Sequence, residues 1–223
     1  MHISKKKKFI FIHIPKTAGE SISQVLQNVE NEKNTFDILT DKVIRKSLAF
    51  SSIFSSSNHK NNQKLQSSLG KHSSAQEILN ELGSSFFQKS FKFSFVRNPW
   101  DQVVSFYNHL RKPLYLPEYK GKLLNPYNAC KTALECDFRS WVIEIYEKRQ
   151  LQDEMFRQHN PVDHFKNQHE WLISLDGEML VDYIGKYESL SKDLEIIGTQ
   201  IGVDFSSIPI KNKSQRSNYR EYY

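Results

Sequence analysis

Cysteine is scarce in this chain: 223 residues contain two, Cys130 and Cys136. Two cysteines build no disulfide framework, and with no Cys/His pairs at finger spacing a structural zinc site has no support. Such sparse usage suits a reducing compartment. Long hydrophobic runs are missing as well. The longest, Phe9 to Ile14, contains His13 and falls far short of the roughly 20 residues that span a bilayer. The four lysines at 5 to 8 precede no adequate signal-peptide core. The expected location is therefore cytoplasmic, although the lumenal domain of a truncated membrane enzyme would read the same way. No repeat of fixed period is visible. Apolar residues make up only 38 % and the mean hydropathy is −0.60, yet 15 Phe, 10 Tyr and 3 Trp supply large buriable surface. The length suits one domain spanning 1–223, able to build a core without disulfide or metal. Thirty-one Lys and Arg against 25 Asp and Glu leave a net charge of +6, which favours an anionic partner such as a nucleotide, a nucleic acid or an acidic glycan.

Phe9-Ile-Phe-Ile-His-Ile14 reads as a parallel strand buried on both faces, stopped at Pro15. Beyond the turn Lys16-Thr17-Ala18-Gly19, apolar Ile22, Val25, Leu26 and Val29 mark an amphipathic helix. Residues 47 to 74, rich in Ser, Asn, Gln and Lys, are expected to form a long mobile loop. A second strand, Phe91 to Val96, ends at Arg97-Asn98-Pro99. There Asn98 as cap, Pro99 at the first helical position and Asp101 three residues on predict a helix from Pro99 to Leu110. Helices are also expected over 138–150, 161–175 and 189–201, with a strand at 181–184. This alternation predicts an α/β fold, a parallel sheet flanked by helices.

Two segments carry candidate chemistry. Pro15-Lys-Thr-Ala-Gly-Glu-Ser21 follows a buried strand and opens a helix, whose first-turn N–H groups lack intrahelical partners and face a positive dipole end. Gly19 admits close backbone approach to a phosphate, Lys16 adds a full charge, and the hydroxyls of Thr17 and Ser21 add donors. The nucleoside-triphosphatase pattern GxxxxGK[ST] is absent, since here the lysine precedes the glycine. The second segment is Arg97-Asn-Pro-Trp-Asp-Gln-Val-Val-Ser105, at the carboxyl end of a strand, where open α/β sheets bind ligands. Arg97 can grip a phosphate bidentately, and Ser105 stands two turns into the following helix.

Together the segments resemble the sulfotransferases that use 3′-phosphoadenosine 5′-phosphosulfate, particularly the carbohydrate branch that includes the heparan sulfate O-sulfotransferases. IFIHIPKTAGES looks like that family's 5′-phosphosulfate loop and FVRNPWDQVVSFY like its 3′-phosphate element, while GKHSSAQEI at 70 to 78 resembles the segment bearing the branch's catalytic histidine. VDYIGKYESL at 181 to 190 resembles a further family strand and turn. The resemblance implies a P-loop-like fold in which Lys16, Thr17, Ala18, Gly19, Glu20 and Ser21 hold the 5′ side of the cofactor and Arg97 and Ser105 its 3′-phosphate. Lys16 would stabilise charge on the leaving oxygen, and His72 would be the general base for an acceptor hydroxyl, probed against His109 as second choice. No metal is implied. The product would be adenosine 3′,5′-bisphosphate and the acceptor a carbohydrate or other hydroxyl compound. The C-terminal stretch 205–223 resembles a nucleotide-covering segment, with Lys213 and Ser214 as candidate contacts. Glu20 stands where the family commonly has Thr.

Two other readings stay open on the residues alone: a nucleotide kinase or other phosphate-binding transferase, and a non-catalytic basic protein that binds glycan or nucleic acid. His13 is expected to pack or hydrogen-bond beneath the loop, and Trp100, Phe106, Tyr107, Trp141 and Trp171 to serve as packing residues.

Overall fold

Four short strands form one sheet in the order β1 (His2–Ser4), β2 (Phe9–Ile12), β3 (Phe91–Val96) and β4 (Tyr183–Lys186). The computed structural model describes residues 1–28, 69–111, 133–150, 166–209 and 216–223. Outside the described residues lie positions 47–68 of the expected loop, 161–165 of an expected helix, Cys130, His159, His164, Lys213 and Ser214. The described chain falls into two compact units, Met1–Val96 with Gln168–Lys211 and Arg97–Asn167 with Asn212–Tyr223.

The first unit holds the sheet. β2 pairs in parallel with β3, and β3 with β4, in the register Ile12↔Ser94 and Val96↔Lys186. The expected parallel sheet is present in β2, β3 and β4, and a short edge strand that the sequence did not announce joins it: β1 is antiparallel to β2. The four lysines that follow β1 turn the chain back on itself, with Lys8 in the left-handed region at φ 52°, and a hairpin requires antiparallel pairing. On one face Phe9, Phe11, Phe93 and Phe95 pack against Ile22, Val25 and Leu26 of helix α1 (residues 19–28). Leu194, Ile197 and Ile201 of the later helix Leu190–Ile201 complete that layer. Ile10 and Ile12 on the opposite face are also fully buried, so β2 is covered on both sides, as its unbroken apolar run requires.

The stretch after residue 69 is more ordered than its composition suggests. Ser74 and Glu77 form a capping box, the Ser74 side chain accepting from the Glu77 N–H and the Glu77 carboxylate accepting from the Ser74 N–H, and this starts α2 (Ala75–Leu82). A shorter α3 (Ser84–Lys89) leads into β3. The 161–175 expectation is met among the described residues only by a single 3-10 turn, Gln168–Trp171. Beyond it Ile173 bridges back to Met179, so helical periodicity gave way to a tight reversal.

In the second unit, α4 spans Pro99–Leu110 and α5 spans Phe138–Gln150. The Asn98 side chain accepts from the N–H groups of Trp100 and Asp101 at 3.0 and 3.3 Å, so α4 starts where its cap dictates. Phe106, Tyr107, Phe138 and fully buried Trp141 form this unit's core. Trp100 is not among them: it is 58 % exposed and meets Tyr223 edge-on. In the first unit, the helix Leu190–Ile201 (α6) ends at Gly202, whose left-handed φ of 62° lets the chain turn.

Candidate active site

The loop after β2 has an unusual backbone. Lys16 and Ala18 both carry positive φ, 66° and 70°, while Thr17 between them does not. Left-handed geometry costs a non-glycine residue energy, and residues held in it cluster at functional loops. Alternation of sign along consecutive residues curls successive N–H groups toward one concave side, the arrangement of an anion-binding nest. α1 opens directly from it, with the Ser21 and Ile22 N–H groups donating to the Ala18 carbonyl at 3.0 and 3.2 Å. The nest is therefore fused to a helix amino terminus, and both favour negative charge.

The loop side chains divide by role. Thr17 is fully buried and its hydroxyl donates to the Ile14 carbonyl at 2.9 Å. That bond holds the loop to the end of β2 and uses the side-chain donor expected to meet a phosphate, leaving Thr17 its N–H for that purpose. Ser21 is buried in the first turn of α1. Glu20 is exposed and forms an ion pair with Lys71. The carboxylate beside the loop is thus partnered by a lysine whose own pKa is lowered by burial.

Lys71 adjoins His72, and here the sequence's most distant expectation meets the loop. A tight turn closed by the Ser73 N–H and hydroxyl donating to the Gly70 carbonyl, at 3.2 and 3.1 Å, presents His72. Its Nδ1 lies 2.9 Å from the carbonyl oxygen of His13. A carbonyl only accepts, so Nδ1 carries the hydrogen and the neutral ring's lone pair sits on Nε2. The His72 ring stands 4.4 Å, centroid to centroid, from that of His13 and 6.5 Å from that of Trp171 in an edge-on contact. Trp171, expected as a helix-packing residue, instead walls the histidine from a 3-10 turn. Nothing in local sequence spacing pairs positions 13, 72 and 171.

His13 itself is buried, 2 % exposed. Burial first, and then repulsion from His72, the amino terminus, Lys71 and Lys16, push its pKa down to about 2. It stays neutral at physiological pH. Because the folded pKa lies below the ordinary value of 6.5, the unfolded chain binds a proton that the folded chain refuses. This group's contribution to stability is therefore intact above pH 6.5 and lost as pH falls below it, by up to about 1.4 kcal/mol per pH unit. Urea unfolding at stepped pH is expected to show this slope in the wild type and a shallower one in His13→Ala. Equal slopes would contradict a buried neutral ring.

The second motif lies in the other unit. Arg97 is buried, and its Nε and Nη2 contact the Asp101 carboxylate at 2.8 and 2.6 Å, one turn along α4. Arg216 pairs with the other oxygen of Asp101, so two guanidinium groups converge on one carboxylate. This pairing, which the sequence reading missed, fixes the plane of the Arg97 fork. Ser105 is half-buried midway along α4, and His109 is exposed in its last turn. The loop and His72 are thus assembled within one unit, and Arg97, Ser105 and His109 belong to the other. Among the described residues, no three His, Cys, Asp or Glu side chains come together as a metal would require. No helix among them is long and apolar enough to cross a membrane.

A phosphate-type cradle after the first parallel strand of an α/β sheet, with a tautomer-fixed histidine beside it, is an arrangement suited to group transfer. Residues 1–222 match the model of the sulfotransferase family, and the chain belongs to that family. Sulfuryl transfer is the activity that goes with it. No curated protein and no solved structure matches the chain.

Proposed function

We propose that the protein transfers a sulfuryl group from 3′-phosphoadenosine 5′-phosphosulfate to a hydroxyl, that of a carbohydrate in keeping with the heparan sulfate O-sulfotransferase-like motifs. The observation that carries this reading is His72, held by the His13 carbonyl with its basic nitrogen on Nε2, beside the nest of Lys16 to Gly19. In this reading backbone N–H groups and Lys16 receive the 5′ side of the nucleotide, and Arg97 with Ser105 receives its 3′-phosphate, as the family motifs suggest. When bound, the nucleotide supplies the sulfuryl group and leaves as adenosine 3′,5′-bisphosphate. The chain's own residues divide the remaining work. His72 Nε2 takes the proton of the attacking hydroxyl, so that the acceptor oxygen reaches sulfur with its electron pair available. Lys16 and the first-turn N–H groups of α1 are fixed donors for charge growing on the departing oxygen. Glu20, neutralised by Lys71, does not repel the incoming anion. We assign the 1–223 chain as one sulfotransferase domain.

The 3′ assignment is tested by comparing two nucleotides. Arg97→Ala is expected to weaken binding of adenosine 3′,5′-bisphosphate about tenfold to a hundredfold, the worth of a charged hydrogen-bonded contact. Binding of adenosine 5′-monophosphate, which lacks the 3′ group, is expected to change little. Equal losses by calorimetry for both ligands would remove Arg97 from the 3′ site.

A further inference from the structure

We infer that His13 is a positioning residue that couples the anion loop to His72, bonded to the base through its carbonyl and wedged beneath Gly19 through its ring. This deepens the sulfuryl-transfer reading and rests on it for what the loop holds. Three contacts meet in the one residue. Its carbonyl oxygen receives the His72 Nδ1–H at 2.9 Å, fixing the tautomer. Its imidazole lies against the His72 ring, 4.4 Å between centroids and tilted by 48°, and stacks with Phe11 at 5.9 Å. Its Cδ2, Nε2 and Cγ occupy the space that a Cβ on residue 19 would need.

The last contact gives Gly19 a meaning that the motif alone did not supply. Glycine stands there because an imidazole lies against its Cα, and Gly19 is the residue at which the nest becomes helix α1. The choice of imidazole also has a cost. Nδ1 of His13 is buried with no hydrogen-bond partner among the described residues, and an apolar side chain would avoid that loss. The imidazole nonetheless makes both contacts at once, its Cδ2, Nε2 and Cγ against Gly19 and its ring centroid 4.4 Å from that of His72. Packed interiors transmit displacement instead of absorbing it, so a shift of the loop at Gly19 on closing round an anion moves the His13 ring and, with it, His72.

The test is a double-variant cycle in the full chain, read by binding of adenosine 3′,5′-bisphosphate and by imidazole ¹⁵N NMR of His72. Gly19→Ala drives a methyl into the His13 ring. We expect it to weaken the bisphosphate about tenfold or more and to shift His72 from the Nδ1–H tautomer toward a mixture. In His13→Ala plus Gly19→Ala the methyl enters vacated space, and affinity is expected to return to within about threefold of His13→Ala alone. Losses that simply multiply, or a His72 spectrum indifferent to Gly19→Ala, would overturn the inference. Should Gly19→Ala not fold, His13→Ala, which keeps the carbonyl and removes only the ring, decides the matter: loss of the shift that the bisphosphate induces in the wild-type His72 resonances supports the coupling, and an unchanged bisphosphate-induced shift overturns it. A chain in which His72 responds as described but which binds no bisphosphate refutes the sulfuryl-transfer reading and supports the coupling. A chain that binds the bisphosphate with His72 unresponsive does the reverse.

Discussion

His72→Ala is expected to lower kcat by about 10² to 10⁴, the range for removal of a general base, while leaving affinity for adenosine 3′,5′-bisphosphate near the wild-type value. In the proposed function the base acts on the acceptor hydroxyl and makes no contact with the nucleotide phosphates. A second signature follows from the fixed tautomer. The wild-type pH dependence of kcat/KM is expected to carry an acidic limb from the base, and His72→Ala to lose that limb along with most of its rate. His109→Ala, at an exposed position in the last turn of α4, is expected to change little. If the two variants behave in the opposite order, the base lies on α4 and the contact between His72 and His13 is only structural.

The next largest effect is expected at Lys16. Lys16→Ala keeps a non-glycine residue in the left-handed position, so it removes the ammonium and inherits the same backbone strain. The predicted outcome is a kcat lower by about 10² to 10³, as when one preorganised donor to a developing oxyanion is lost. The KM for the nucleotide is expected to rise far less, because only interactions stronger in the transition state accelerate the chemical step. A variant with unchanged kcat and a raised KM would make Lys16 a binding residue alone.

Much of this was legible in residues with strong local rules. Asn98 and Pro99 fixed the start of α4, the continuous run from Phe9 announced a strand covered on both faces, and Gly202 marked the end of α6. Ser74 and Glu77 carried an equally plain capping-box signal, but the serine-rich composition upstream obscured it, and α2 went unread. Other features had no local signal. A three-residue edge strand is too short for periodicity, so β1 and the antiparallel edge escaped. Positive φ at Lys16 and Ala18 is imposed by the loop's surroundings, since neither residue prefers it. The candidate site reads in the sequence as two motifs, but the contacts round its first motif join positions far apart in sequence: Glu20 with Lys71, His13 with His72, His72 with Trp171. The Arg97–Asp101 pair was within reach, because an i, i+4 spacing on a helix brings such side chains together.

The central claim is sulfuryl transfer to a hydroxyl, and it is tested most directly by incubating the protein with ³⁵S-labelled 3′-phosphoadenosine 5′-phosphosulfate and a panel of saccharide and small hydroxyl acceptors. Label is expected to enter at least one acceptor in an amount equal to the adenosine 3′,5′-bisphosphate released, and both signals are expected to fall together by about 10² to 10⁴ in His72→Ala. Label that reaches no acceptor, in a protein that ATP with Mg²⁺ protects against thermal unfolding more than adenosine 3′,5′-bisphosphate does, would contradict the claim.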